Sequence, residues 1–237
     1  LVLIDGSGYI FRAFHALPPM HRKDGTPINA VFGFTKMIMK LIDDLDPSYV
    51  AVIFDSARET FRNEIYKDYK SNRPNPPDEL VPQFPIVRDA ESALSLISIE
   101  IPGFEADDII ATYSSVASKN NQDCLIVSSD KDLMQLVSQR VKMFDPIKQK
   151  VIGPEEVSEK FGVYPEKVVD VQSLAGDSTD NVPGVPGIGI KIAAELINEY
   201  GNLENLLKNS DNIKQTKRRE NLISYSDLAR ISQKLVT

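Results

Sequence analysis

The chain has 237 residues, 42% hydrophobic and 26% charged, with 34 acidic against 27 basic side chains and a net charge of −7. That is enough apolar material for a real core and room for one large domain or two small ones. The single cysteine, Cys124, excludes an internal disulfide, two histidines and one cysteine cannot build a structural zinc site, and no apolar run approaches the ~18 residues of a membrane span.

Leu1–Ile4 is an apolar run closed by Asp5-Gly6 and reads as a strand and turn. The sequence opens inside this run without an initiator Met, carries no signal peptide and ends at Thr237 with no stop signal, which reads as a piece of a longer protein. Helical spacing follows over Val31–Leu45, and Tyr49–Phe54 reads as a second buried strand, ended by Asp55. Ala57–Arg73 mixes cations and aromatics: Arg58, Phe61, Arg62, Tyr66, Lys67, Tyr69, Lys70 and Arg73. Pro74-Asn-Pro-Pro77 then stops any helix, so this stretch reads as an excursion from the domain.

Glu79–Leu96 has helical spacing, Ile99–Ile101 reads as a brief strand, and a helix runs from about Glu105 to Ser118. Cys124–Val127 is a strand ended by Ser128-Ser129-Asp130, with Cys124 a buried thiol in it. A helix is expected over Leu133–Val137 and a strand over Val141–Phe144. Strands alternating with helices argue for an α/β fold, a mostly parallel central sheet flanked by helices with right-handed crossovers. After about Gly153 strand signals fade and short helices dominate, which puts a boundary near 172. The sequence has no internal repeat and no low-complexity tract.

Nine acids stand where hydrophobic runs stop or in tight turns: Asp5, Asp55, Glu105, Asp107, Asp108, Asp130, Asp132, Asp177 and Asp180. The carboxyl ends of parallel strands meet on one edge of a sheet. Like charges crowded there repel unless a cation lies between them. Hard divalent ions such as magnesium suit carboxylate oxygens. Each motif also has a plain structural reading. Glu105-Ala-Asp-Asp108 opens a helix, where acids are stabilised by the dipole. Asp130 and Asp132 can be N-caps. Asp177-Ser-Thr-Asp180 can be an Asx turn, and a lone acid ending a strand, as at Asp5 or Asp55, is commonly a turn residue. Their joint placement is the argument. Taking these nine from the 34 acidic residues leaves 25 against 27 basic ones, so the acidity is local and the rest of the surface can meet phosphate.

Two further stretches suit nucleic acid. Gly184-Val-Pro-Gly187-Ile-Gly189-Ile-Lys191 precedes a helical run, and such glycines let backbone amides approach a phosphate. It lacks the Gly-Lys-Ser/Thr ending of a Walker loop and the preceding strand of a dinucleotide fingerprint. A plain turn between helices is the other reading. In Phe61–Arg73, bases could stack on Tyr66 and Tyr69 while Arg62, Lys70 and Arg73 meet phosphates, or the stretch could be a solvated amphipathic helix.

Taken together, Leu3-Ile-Asp5-Gly-Ser7 with Arg12–His15, Phe54-Asp55, Phe61-Arg62, Tyr69–Arg73, Glu105–Asp108, Ser129–Asp132, Gly176–Asn181 and Val182–Gly189 with Lys191 resemble the 5′-nuclease (flap endonuclease) domain of bacterial DNA polymerase I. The likeness spans essentially the whole chain. It implies a PIN-like core over 1–172, with a flexible arch at about 56–80, and a helix-hairpin-helix-like DNA clamp over 173–237. It also implies hydrolysis of 5′ flaps and of nicked or gapped duplexes with two or more magnesium ions, for which manganese can substitute. Asp5, Asp55, Glu105, Asp107 and Asp108 would surround one metal site. Asp130, Asp132, Asp177 and Asp180 would surround the other. Lys70 and Arg73 would contact the scissile phosphate from the arch, Tyr69 would stack on the substrate and Arg12 would lie nearby. Arg62 would bind DNA, as would Gly184, Gly187, Gly189 and Lys191 of the clamp, which also takes a potassium ion. A monomeric bacterial cytoplasmic enzyme fused to a polymerase domain is the expected setting. Ile190, Ile192 and Thr179 depart from the family's usual residues and bear on clamp affinity and ion preference. An RNA-directed metal nuclease and a non-catalytic DNA-junction binder are the competing functions. The clamp and arch argue against the first, and the full acid set against the second.

Overall fold

The computed structural model describes residues 1–57 and 59–237; Arg58, part of the cationic stretch noted above, lies outside the described residues. Glu59–Arg73, Asp130–Gln139 and Ile152–Thr237 form one compact unit, and the remaining described residues form the other.

The first unit is built on a six-stranded sheet. Strands β1 (Val2–Asp5), β2 (Val50–Ile53), β3 (Ile97–Ile99), β4 (Cys124–Val127), β5 (Val141–Asp145) and β6 (Lys150–Ile152) lie in the order β3-β2-β1-β4-β5-β6. β1 pairs in parallel with both β2 and β4, and the β2–β3 and β4–β5 pairs are parallel too. The chain thus builds outward from β1 to one side, then returns to β1 and builds to the other. The gap between β1 and β4 is the switch point where such sheets bind ligands, beyond the carboxyl ends of the strands. Register makes those ends level. Asp5 pairs with Ile53 and Ile4 with Val127, so β1, β2 and β4 finish together.

Helices α1 (Gly6–Ala16), α2 (Asn29–Leu45), α4 (Gln83–Ala93) and α5 (Ala106–Lys119) flank this sheet, while α3 (Phe61–Ile65) belongs to the second unit. Leu3, Ile4, Val52, Ile53, Ile126 and Val127 are fully buried, which is why the strands read as continuous apolar runs. Phe34 and Ile38 of α2, Tyr9 and Ile10 of α1, and Phe54 pack with Ile4 and Val52 in one core cluster. α2 has no cap of its own. Gln83 supplies it from α4, accepting from the amides of Ala30 (2.8 Å) and Val31 (3.2 Å) through a fully buried side chain.

The structure moves several sequence boundaries. α1 is absent from the sequence reading because Gly6-Ser-Gly8 looks like a turn. β3 lies two residues earlier than expected, since the apolar run reaching Ile101 offers more than one register against β2. α4 starts late because Pro82 occupies its N-cap position. The helix expected over Leu133–Val137 is a 3₁₀ turn, Asp132–Leu136.

The second unit is helical: α6 (Pro154–Phe161), α7 (Val168–Ala175), α8 (Ile190–Tyr200), α9 (Leu203–Lys208), α10 (Thr216–Ser224) and α11 (Ser226–Val236). Val157, Phe161, Val168, Val171, Leu174, Ile197, Leu203 and Leu206 are buried in it.

One carboxyl in the first unit is held against its chemistry. Glu91 on α4 is 1% exposed, and its Oε1 has no hydrogen-bond partner among the described residues. Arg88 (3.6 Å) and Ser98 (3.4 Å) reach only Oε2. Burial pushes its pKa up to about 7, with Arg88 opposing. The folded state therefore keeps a proton that the unfolded chain loses near 4.5, so this group's contribution to stability falls as pH rises from about 4.5 to 7. Glu91→Gln should remove up to ~1.4 kcal/mol per pH unit of that slope and stabilise the protein at pH 8. Urea unfolding of both proteins at pH 5 and pH 8 measures it; identical pH dependence would contradict this account.

Candidate active site

In the first unit the carboxyl edge of the sheet gathers one set of acids. Asp5 ends β1 and caps α1, accepting from the Gly8 amide through Oδ1 (2.9 Å) and from Ser128 Oγ, at the end of β4, through Oδ2 (2.9 Å). One carboxylate thus spans the switch point. The glycines beside it are required by space. A Cβ on Gly6 would lie 2.4 Å from the Phe54 ring, and one on Gly8 would lie 2.7 Å from Asp5 Oδ2. Asp55 follows β2 and reaches α5, taking the Ala106 amide at 2.9 Å. Glu105 and Asp108 form a capping box at the same helix start, with the Glu105 amide on Asp108 Oδ2 at 2.9 Å. Asp55 and the Glu105–Asp108 turn are therefore joined directly, and Asp5 is in register with Ile53, two residues before Asp55. Glu105 is buried; Asp107 and Asp108 are half-buried. Arg12 on α1 and Asp5 both act on buried Tyr9, whose hydroxyl burial pushes up to about 12, with Arg12 lowering it and Asp5 raising it.

The second unit holds the other set. Asp130 accepts from the Asp132 amide at 2.9 Å. The loop after α7 is pinched shut at its base. Asp177 and Val182 exchange backbone bonds of 2.9 and 2.7 Å. Gly176 and Gly184 lie back to back at positive φ, where a Cβ on either would meet backbone at 2.5 Å. The hairpin so made presents Asp177 and Asp180, both nearly buried. Lys131 forms an ion pair with Asp177 and is also attracted to Asp132 and Asp130. Burial pushes Asp132 up to about 6, the neighbouring Asp130 adding to this, while Lys131 and a 2.5 Å hydrogen bond from Gln172 oppose it. On Asp177 burial acts upward too, but the Lys131 hydrogen bond and the Thr179 amide outweigh it and hold the carboxyl below its usual range. Lys70 Nζ lies 3.7 Å from Asp180 Oδ2, and Arg73 pairs with Asp180 Oδ1.

Several of these acids have plain structural roles, though not always the one the sequence suggested: the 3₁₀ turn after Asp130 has Lys131, not Asp130 or Asp132, at its N-cap position. Asp5 is a helix cap, Glu105 and Asp108 a capping box, Asp130 a turn former and Asp177 an Asx turn. Among the described residues no three His, Cys, Asp or Glu side chains are grouped so as to hold a metal ion. Lys131, Lys70 and Arg73 pair with the acids of the second unit instead. The donor set is nonetheless all carboxylate oxygen, the chemistry magnesium and manganese take.

Arg62, Tyr69 and the arch stand in settings that the sequence did not show. Arg62 is 4% exposed, not a surface cation. Its Nε donates to Leu235 O (2.8 Å) and its Nη2 to Thr237 O (2.7 Å), which ties down the end of α11. Tyr69 is 5% exposed and packs with Val182, Leu235 and Val236, with Lys70 Nζ 5.1 Å from its ring centroid. The described part of the arch is bonded to the acidic hairpin. Lys70 N donates to Asp180 O (2.9 Å), Asn72 to Ser178 O (2.7 Å) and Asn181 to Asp68 O (2.7 Å). A cation–aromatic mixture has the same composition whether it faces water or fills a core, so the sequence could not separate these cases. In the glycine turn, Gly184 is buried with its amide on Ser232 Oγ (2.9 Å), while Gly187, Gly189 and Lys191 are exposed.

The glycine pair at the hairpin's base is the signal the sequence reading missed. Gly176→Ala should cost about 1–3 kcal/mol from backbone strain alone, and more from the clash, lowering the urea midpoint. An unchanged midpoint would show that the hairpin tolerates a different closure.

Comparison with known proteins bears on the family and the fold. Residues 1–162 match the model of the 5′-3′ exonuclease N-terminal resolvase-like domain, and residues 163–237 match the 5′-3′ exonuclease C-terminal SAM fold. A DNA polymerase I from Rhizobium leguminosarum is 55% identical over 244 residues, covering the whole of this chain and 24% of that protein. A 5′-3′ exonuclease from Aquifex aeolicus is 43% identical over 209 residues, 88% of this chain and 72% of that one. A T5 5′-exonuclease structure with divalent zinc ions bound superimposes with a TM-score of 0.85 at 23% identity, over 100% of this chain and 88% of that chain. The chain spans about a quarter of the length of the polymerase it matches. It belongs to the 5′-3′ exonuclease family, a resolvase-like parallel-sheet domain followed by a helical SAM-fold domain.

Proposed function

We propose that the chain is a structure-specific 5′ nuclease that hydrolyses phosphodiester bonds of flapped, nicked or gapped DNA with the help of divalent cations, in replication and repair. The observation that carries this reading is the run of carboxylates Asp5, Asp55, Glu105 and Asp108 along the carboxyl edge of a parallel sheet, with Asp5 at its switch point. A binder of DNA gains nothing from concentrating negative charge there.

Asp5, Asp55, Glu105, Asp107 and Asp108 would hold one ion. Asp130, Asp132, Asp177 and Asp180 would hold the other. Bound magnesium or manganese would supply an activated water and charge for the leaving oxygen. The protein's own part is positional. Backbone amides and Ser128 orient Asp5, Asp55 and Asp108. Lys70 and Arg73, held beside Asp180, are cations able to offset charge on a phosphate in the transition state. Arg12 would serve the same strand. Gly187, Gly189 and Lys191 would grip the DNA backbone without reading sequence, with a potassium ion at the turn. The setting is a monomer in a bacterial cytoplasm, joined to a polymerase. No helix among the described residues is long and apolar enough to cross a membrane.

With a 5′-flap duplex and magnesium, wild-type protein should release the flap and Asp107→Ala should lose at least ~100-fold in turnover, the scale on which removal of one charge-stabilising group acts. Equal product from both would contradict the ligand assignment. Cleavage of unstructured RNA in preference to the flap, or junction binding without cleavage in magnesium or manganese, would favour the competing readings. Lys70→Ala should lower turnover far more than duplex affinity, as expected for a group acting in the transition state; a parallel fall in both would contradict that role.

A further inference from the structure

Positions Lys214 to Arg219 carry four cations in six residues: Lys214, Lys217, Arg218 and Arg219. They straddle the start of α10, whose first turn contains no acid. Cations at a helix N-terminus oppose the helix dipole, so this placement weakens the helix unless something anionic meets it. Lys214 and Lys217 are exposed, and Arg218 and Arg219 are half-buried. Arg219 is used internally, its Nη1 donating to Ile213 O at 3.2 Å. Among the described residues Lys214, Lys217 and Arg218 have no acid paired with them.

The face they occupy is fixed by Asn221. It lies four residues after Lys217 and three after Arg218, hence on the same side of the helix. Its Nδ2 donates to Pro186 O at 2.7 Å and lies 3.7 Å from the position of a Cβ on Gly187. The cationic side of α10 therefore adjoins the exposed part of the glycine turn, Pro186, Gly187 and Gly189, which leads into exposed Lys191. The turn side contributes the exposed Lys191 ammonium, and the α10 side contributes Lys217 and Arg218.

We propose that Lys217 and Arg218, with Lys214 at the margin, form a phosphate-binding surface continuous with the glycine turn. It extends the grip on duplex DNA by about two further phosphates, independent of base sequence. This rests on the DNA-directed function proposed above. Each phosphate neutralised releases counterions and steepens the fall of log affinity with log salt by about 0.9.

The test is fluorescence-anisotropy titration of a labelled 5′-flap duplex, in calcium, across a series of KCl concentrations. Lys217→Gln/Arg218→Gln should bind more weakly at low salt, with a slope shallower than wild type by about 1.8. Lys217→Gln alone should show about half that change. Lys208→Gln/Lys234→Gln, which removes the same charge elsewhere in the unit, should keep the wild-type slope. Wild-type binding with the same slope in the single and double variants would overturn the surface and leave the nuclease reading standing. Equal flattening in the control pair would overturn it too, by showing a net-charge effect. A wild-type protein that binds no flap duplex would overturn both.

Discussion

Each of the two sets of acids depends on the donors that hold its carboxylates in place. Two carboxylates a few ångströms apart repel by an amount that grows as water is excluded. The fold meets this with donors fixed by the backbone. Asp5 takes an amide of α1 and the hydroxyl of Ser128, Asp55 takes an amide of α5, Asp108 an amide of its own turn, and Asp177 the amide of Thr179. Where amides are fewer, side-chain cations enter: Lys131 among Asp130, Asp132 and Asp177, and Lys70 with Arg73 at Asp180. Asp132 shows the residual strain, its carboxyl lifted to about 6 first by burial and then by Asp130.

The same donors explain why the acids fall at the ends of elements. A carboxylate can accept backbone amides only where they are unpaired, at helix starts and tight turns. Strand ends that run straight into helices supply such amides. Parallel pairing of β1 with β2 and β4 levels three strand ends, so fixing the backbone also fixes Asp5, Asp55 and Ser128. In the second unit the back-to-back glycines at 176 and 184 do the equivalent work for Asp177 and Asp180. The structural role and the proposed chemical role thus fall on the same side chains, and finding a cap does not argue against a ligand.

This coincidence set what the sequence could reveal. The buried strands were legible because parallel strands are apolar on both faces, and the acids were legible because they interrupt those runs. The first helix was not, since Gly6 and Gly8 signal a turn locally and only the Phe54 ring and the Asp5 carboxylate explain why they are small. The burial of Arg62 and Tyr69 was not legible, because exposure is a tertiary property. The end of α11, more than 160 residues away in sequence, is what buries them. Gly184 looked like its neighbours Gly187 and Gly189, yet its packing against Gly176 and its bond to Ser232 belong to the hairpin's base.

The central claim is that the carboxylates of the sheet edge bind a divalent cation as a set. Its most direct measurement is electron paramagnetic resonance of manganese titrated into the protein without DNA, comparing wild type with an Asp55→Asn/Asp108→Asn variant of unchanged circular dichroism. The account predicts that wild type withdraws free manganese from solution and that the variant loses at least one of those sites. Equal manganese uptake by both proteins would contradict it.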